Sequence, residues 1–218
     1  MDGQGTLLTT EECLINPNRN PTLSKSDIER TLSTALGVSH FIWLPFGLVG
    51  DDDTNGHVDN IACFVKPGVV MLSWAEEGED EEQYRRCMLA LQVLESSVDA
   101  KGRKIQVIKL PLPRAMVATQ EDVRTVQIVD GVKSREAGAR LAASYANFYI
   151  CNGAVIMPGF APRTGGSRNE VVESDERAKA VVEAAFPDRM VVQVPTREVL
   201  LGGGNIHCIT QQQPKVLL

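Results

Sequence analysis

The chain contains 218 residues, of which 43% are hydrophobic and 23% are charged, and its net charge at pH 7 is −6. This length is enough for one sizeable hydrophobic core or two small ones, and the composition is that of an ordinary globular protein. No apolar run approaches the roughly 20 residues that cross a membrane, and the first residues do not resemble a secretory signal. We therefore expect a cytoplasmic protein without membrane contacts, and the dispersed basic residues argue against nucleic acid as a partner.

Five cysteines are scattered along the chain: Cys13, Cys63, Cys87, Cys151 and Cys208. Their number is odd and no two are spaced as a metal-binding or redox pair, so neither a disulfide framework nor a zinc site is indicated. We expect four buried thiols and one reactive thiol. We also expect no metal and no cofactor.

The first predicted unit covers approximately residues 5–46. Residues 6–9 are typical of a strand, residues 24–36 of a helix and residues 40–44 of a second strand. Ser24 is the expected N-cap of the helix, and Gly37 is expected to end it. Compared with the later units, this one lacks a first strand, and unpaired strand edges are normally avoided. We therefore expect the chain to be part of a longer protein.

Residues 57–110 and 141–195 can be aligned with each other as two further units. Each predicts a strand, a tight turn, a strand, a helix and a third strand, and the turn glycines Gly68 and Gly153 are expected to have positive φ. Residues 200–211 predict a final strand. The pattern is less regular over residues 111–140, which we interpret as an insertion with a functional role. Such units predict an α/β assembly around a pseudo-symmetry axis, with ligands bound where strand ends converge.

His57 and Asp59 form the first candidate site. In an extended segment alternate side chains share a face, so the imidazole and the carboxylate would project together as an acid–base pair. Two alternatives remain open. The histidine could be a surface residue beside an aspartate in a turn, or the pair could bind a metal, which would need further ligands.

Cys208 is the candidate nucleophile. It follows three consecutive glycines and lies in residues 205–210, which predict a strand. His207 would then point to the opposite face from Cys208, so its acid–base partner must come from elsewhere, and His57 is favoured. Glycines allow close approach of backbone or ligand, but no dinucleotide-binding or phosphate-loop pattern is present.

These segments resemble agmatine deiminases. Residues 202–214 resemble the nucleophile segment of that family and residues 50–60 its His-x-Asp segment, and similar stretches occur at residues 5–13, 16–21, 102–110 and 140–145. The resemblance covers nearly the whole chain. It implies a pentein-type α/β propeller built from repeated ββαβ units, of which this chain has roughly the later units of five. It also implies hydrolysis of agmatine to N-carbamoylputrescine and ammonia through a covalent thiouronium intermediate.

The resemblance assigns a role to each candidate residue. Cys208 would attack the guanidine carbon, and the cationic substrate would favour its thiolate. His57 would protonate the departing ammonia and then activate water, while Asp59 would hold the guanidinium group. Gly203 and Gly204 would permit close approach of the substrate.

Asp53 is our candidate for the residue nearest the amine of agmatine. The loop before His57 carries three aspartates, at positions 51–53, and residues 47–62 contain no lysine or arginine. A substrate carboxylate would call for such a basic residue, whereas an ammonium group would not. A solvated acidic turn is the alternative interpretation of this loop.

Two features of the family are missing from this sequence: a second guanidinium-binding carboxylate and a glutamate that pairs with the catalytic histidine. We therefore expect the 218 residues alone to be weakly active or inactive. Alternatives are a deiminase of arginine or peptidyl-arginine, a cysteine protease, and a non-catalytic remnant that binds a guanidine or a partner subunit. Assembly into a homo-oligomer is left open.

Overall fold

The computed structural model describes residues 1–125, 135–161 and 168–213, without the side chains of residues 168–170. The fold is α/β. The first elements are β1 (Thr6–Thr10), α1 (Glu11–Leu14), α2 (Lys25–Leu36) and β2 (His40–Leu44). Strands β1 and β2 pair in parallel.

The predicted limits of helix α2 are confirmed. The Ser24 side chain accepts a hydrogen bond from the backbone N–H of Asp27, and the Asp27 carboxylate accepts one from the N–H of Ser24. This reciprocal capping box satisfies two N–H groups that would otherwise lack partners. Gly37 ends the helix with a φ of 67°, a conformation that glycine adopts without strain.

The second group of elements comprises α3 (Val58–Ile61), β3 (Ala62–Lys66), β4 (Val69–Trp74), α4 (Glu81–Ser96) and β5 (Gln106–Pro111). Strand β4 pairs antiparallel with β3 and parallel with β5. Gly68, in the turn between β3 and β4, has the predicted positive φ of 77°.

The stretch interpreted as an insertion contains β6 (Met116–Val117), α5 (Gln120–Thr125) and β7 (Arg140–Leu141), and β6 pairs antiparallel with β7. Residues 126–134 of this stretch lie outside the described residues.

The last elements are β8 (Tyr149–Ile150), β9 (Ala154–Gly159), α6 (Arg168–Ala185), β10 (Met190–Pro195) and α7 (Arg197–Leu201). Strand β9 pairs antiparallel with β8 and parallel with β10. Gly153 does not adopt the predicted positive φ. A hydrogen bond from the Cys151 N–H to the Ala154 carbonyl closes this reversal at 2.9 Å without a left-handed residue.

The predicted strand over residues 200–211 is wrong. Helix α7 occupies its start, and residues 206–209 form turns. The Asn205 side chain accepts a hydrogen bond from the Ile206 N–H, and Asn147 accepts those of His207 and Cys208. The N–H groups that a strand would offer to a neighbour are therefore held by side chains.

Two hydrophobic cores lie beneath the sheets. Helix α4 and strand β4 contribute to one core, which includes the fully buried Leu72 and Leu94. Helix α6 and strand β9 contribute to the other, which includes the fully buried Met157. Within the described ranges, none of the helices combines the length and the apolar character needed to cross a membrane.

Gly47 packs against the backbone of Gly56, which precedes His57. A Cβ at this position would lie 2.4 Å from the Cα of Gly56, and a backbone atom cannot move aside as a side-chain tip can. We expect Gly47→Ala to lower the free energy of unfolding by about 1–3 kcal/mol, the usual cost of overpacking. Denaturant titration would measure it. Gly153→Ala is the matched control, because a Cβ there meets nothing within 4 Å; equal unfolding midpoints would contradict this expectation.

Candidate active site

Asp51 organises the loop that leads into helix α3. It is buried, and one of its carboxylate oxygens accepts a hydrogen bond from the Thr54 hydroxyl at 2.6 Å. The other oxygen accepts hydrogen bonds from the His57 N–H at 2.9 Å and from the Asn60 side-chain amide at 3.0 Å. Asp51 therefore fixes the start of α3, and it does so without reaching the surface.

His57 lies at the N-cap of α3, so the extended segment predicted for residues 57–59 is wrong. His57 precedes the helix and Asp59 lies in its first turn, so strand alternation does not place the two side chains on one face. The charge of His57 nevertheless contributes to lowering the pKa of Asp59. The Nε2 atom of His57 lies 2.9 Å from a guanidinium nitrogen of Arg19. The Asp51 hydrogen bond to the His57 N–H, which the sequence pattern could not reveal, favours the helix over the strand.

Asp59 contacts the predicted nucleophile. Its Oδ2 atom lies 3.3 Å from the sulfur of Cys208 and 2.8 Å from Nδ1 of His207. Its Oδ1 atom is buried and has no hydrogen-bond partner among the residues that the structure describes. His207 was expected to point away from Cys208, but the turn over residues 206–209 directs both side chains to the same carboxylate.

Asn147 holds the nucleophile turn in place, and sequence analysis missed it. The oxygen of its side-chain amide accepts hydrogen bonds from the backbone N–H of His207 at 2.9 Å and of Cys208 at 3.3 Å. Its amide nitrogen donates to Asn60 at 2.9 Å and to the sulfur of Cys208 at 3.1 Å. The available signal was a polar residue between two apolar neighbours, Ala146 and Phe148, in a buried segment.

The last two of the three consecutive glycines have no room for a side chain. A Cβ at Gly204 would lie 2.8 Å from the Cβ of Cys208 and 3.3 Å from its sulfur. Gly203 has a φ of 96°, and a Cβ there would lie 2.9 Å from a carboxylate oxygen of Asp53. Adjacent glycines thus face the nucleophile and the acidic loop. The close approach of a substrate expected at both positions stays a prediction.

Asp53 is paired with an arginine that the sequence did not place near it. A guanidinium nitrogen of Arg135 lies 2.5 Å from its carboxylate, and Nε of Arg135 donates to the Leu201 carbonyl at 2.7 Å. The absence of basic residues from positions 47–62 was therefore a poor guide to the local charge. Asp53 lines two surface recesses of about 360 and 860 Å³, whereas Cys208 lines neither.

Electrostatics favour a thiol at Cys208 and a carboxylate at Asp59. Burial raises the pKa of the Cys208 thiol, and the adjacent charge of Asp59 raises it further, against opposing hydrogen bonds from the Asn205 backbone and the Asn147 side chain. Burial also acts to raise the pKa of Asp59, but the hydrogen bond and charge of His207 outweigh it, and the pKa is lowered. A cation bound beside both groups would stabilise both anionic forms.

The other cysteines are in less accessible environments. All five thiols are free; Cys208 is exposed, Cys13 and Cys87 are buried, and Cys63 and Cys151 are half-buried. The expectation of four buried thiols is therefore right for two of them, while Cys208 is the most accessible.

We expect Asn147→Ala to destabilise the protein, because it leaves the Cys208 backbone N–H and the Asn60 side-chain oxygen without their partner and removes one of the two acceptors of the His207 N–H. Each buried polar group left unsatisfied costs about 1–3 kcal/mol. Denaturant titration would measure the loss. Asn152→Ala removes the same side chain from an exposed position and should change stability by less than about 0.5 kcal/mol. Equal losses for the two variants would show that Asn147 does not hold the turn.

Comparison with known proteins identifies the family to which the chain belongs. The family model of Porphyromonas-type peptidyl-arginine deiminases matches residues 1–214. The chain is 53% identical over 214 residues to an agmatine deiminase of Pseudomonas aeruginosa, covering 98% of this chain and 55% of the relative. It is 52% identical over 217 residues to one of Medicago truncatula, covering 99% of this chain and again 55% of the relative.

A solved structure of the agmatine deiminase of Enterococcus faecalis matches with a TM-score of 0.87 at 42% identity, covering 99% of this chain and 55% of that one. The chain thus spans little more than half the length of these relatives. Since the family model covers almost all of its residues, the chain belongs to the Porphyromonas-type peptidyl-arginine deiminase family.

Proposed function

We propose that this chain supplies the nucleophile and a guanidine-binding carboxylate for the hydrolysis of agmatine to N-carbamoylputrescine and ammonia. One observation carries the proposal. Asp59 contacts the sulfur of Cys208 through Oδ2, while its Oδ1 is buried without a partner among the described residues. A buried carboxylate oxygen left in this way is costly unless a donor reaches it, and a guanidinium group offers planar, charged donors.

The substrate would itself activate the nucleophile. A guanidinium ion on Asp59 places a positive charge beside Cys208, which lowers the pKa of the thiol that burial and Asp59 have raised. The thiol proton passes to His57, the thiolate forms a C–S bond to the guanidine carbon, and the C–N bond breaks as His57 returns that proton to the departing ammonia. Attack of water on the resulting thiouronium carbon breaks the C–S bond and leaves the ureido product.

His57 is proposed as the acid–base group of both steps. Arginine has only donors, so the contact with Arg19 uses the lone pair of Nε2, and the ring is in its neutral, basic form in this arrangement. That form suits the activation of water. Protonation of the leaving ammonia needs the ring to carry a second proton, so Nε2 must first be released from Arg19.

Asp53 is proposed to bind the ammonium end of agmatine. Gly203 faces Asp53 and Gly204 faces Cys208. The Cα atoms of these adjacent residues are about 3.8 Å apart, so the two groups lie within reach of a short, extended substrate. The ammonium group would have to compete with the guanidinium of Arg135 for the same carboxylate.

We also infer the pentein-type propeller, with units at approximately residues 5–46, 57–110 and 141–195. Two three-stranded sheets support this arrangement, because β3–β4–β5 and β8–β9–β10 have the same strand order and the same pairing directions. The parallel pair of β1 and β2 corresponds to the last two strands of such a unit.

A second candidate function is the deimination of arginine or peptidyl-arginine. Arg135 is the observation in its favour, because a guanidinium beside Asp53 offers a partner to a substrate carboxylate. Measuring ammonia release from agmatine, arginine and an arginine-containing peptide separates the candidates.

The nucleophile can be tested without turnover. We expect a haloacetamidine, which mimics a guanidine and carries an electrophilic carbon, to label Cys208 in preference to Cys151, and agmatine to protect against this labelling. Peptide mass spectrometry would locate the adduct, and Cys208→Ser is the control. Labelling that agmatine does not reduce would count against the proposal.

The expectation that the 218-residue polypeptide is weak or inactive fails if it releases ammonia from agmatine at a rate usual for enzymes.

We expect Asp53→Asn to raise the KM for agmatine and the agmatine concentration that halves labelling of Cys208, because a charged partner of the ammonium is lost. The rate of the chemical step should be spared, since Asp53 does not contact the sulfur. Glu77→Gln, a change at an exposed acidic residue outside the site, should alter neither quantity. An unchanged KM in Asp53→Asn would remove Asp53 from the substrate site.

A further inference from the structure

His207 is the group in the site to which the reaction sequence proposed above gives no part. Its Nδ1 atom lies 2.8 Å from the same Asp59 oxygen that the Cys208 sulfur approaches at 3.3 Å. A carboxylate only accepts hydrogen bonds, so Nδ1 carries the proton and donates it. One oxygen is therefore shared between imidazole and thiol, and the other oxygen is left open.

His207 is held through both its backbone and its ring. Its backbone N–H donates to Asn147 at 2.9 Å, and its carbonyl accepts the Thr210 hydroxyl at 2.9 Å. Its Nε2 atom lies 3.4 Å from the side-chain amide nitrogen of Gln212, which is a second contact to the ring. The histidine is consequently directed at Asp59 by its own backbone as well as by its ring contacts.

We propose that His207 is a positioning residue, which orients the Asp59 carboxylate so that Oδ1 stays open toward the guanidine and limits the negative charge that Oδ2 presents to Cys208. This inference rests on the proposed function for the identity of the guanidine. Without the imidazole, the thiol of Cys208 would be the remaining side-chain donor to Oδ2 among the described residues, and the carboxylate would be free to turn.

Among the described residues, the following side chains bear on the charge around the sulfur. Asp59 faces Cys208 from α3, and His57, at the N-cap of that helix, adds its charge to the surroundings of Asp59 when protonated. His207 contacts Asp59, and the neutral Asn147 contacts the sulfur. Loss of the His207 hydrogen bond leaves more negative charge on Oδ2, which disfavours the thiolate.

The test is the pH dependence of Cys208 alkylation by iodoacetamide, followed by peptide mass spectrometry in the full 218-residue chain. We expect His207→Ala to shift the curve to higher pH. His207→Asn should restore the wild-type curve, because the asparagine amide nitrogen can occupy the place of Nδ1. In the Asp59→Asn background, His207→Ala should have no effect. His40→Asn, on strand β2, is the matched control and should leave the curve unchanged.

A second readout follows the substrate. We expect His207→Ala to raise the agmatine concentration that halves labelling of Cys208 by about tenfold, the size of one hydrogen bond to a charged group, and His207→Asn to reverse this. An alkylation curve unchanged in His207→Ala, a failure of His207→Asn to restore it, or a shift that persists without the Asp59 charge would each overturn the role. Failure of agmatine to protect the wild-type protein would instead count against the proposed function, while the alkylation curves would still judge His207.

Discussion

The hydrogen-bonded carboxylate of Asp59 joins two parts of the chain that lie 149 residues apart in sequence. One part is the short helix α3, and the other is the turn that carries Cys208. The geometry of the site depends on this contact, because no strand in the described part of the chain pairs with the turn. The turn is held by side chains from other elements and by the backbone carbonyl of Asn147.

Those side chains form a continuous buried polar network. Asp51 binds Asn60, Asn60 binds Asn147, and Asn147 binds the backbone and the sulfur of Cys208. Buried amides of this kind are costly when unsatisfied, so each member constrains the next. A change at Asp51 can therefore reach the nucleophile without touching it. The network also explains why the acidic loop and the Gly-rich run, which are far apart in sequence, meet with such small clearances.

Local sequence signals predicted the local structure well. Ser24 and Gly37 marked the limits of helix α2, and the positive φ of Gly68 followed from its place in a tight turn. Two segments were misassigned because side chains outside them hold their backbone. Asp51 converts the segment after His57 into a helix, and Asn147 holds residues 206–209 as a turn. Arg135 reaches Asp53 from a region without clear periodicity. The contacts of Asn147 and Arg135 join residues remote in sequence, and that of Asp51 crosses a loop. Periodicity and propensity carry no information about any of them.

The thiol that donates to Asp59 also bears on the chemical durability of the protein. An exposed cysteine is vulnerable to oxidants and electrophiles mainly through its thiolate. An ionised carboxylate 3.3 Å from the sulfur keeps the proton in place while the site is vacant. The reactive form would then arise chiefly when a cation occupies the opposite side of that carboxylate. The same contact that orients the nucleophile thus lowers its reactivity toward molecules that carry no positive charge.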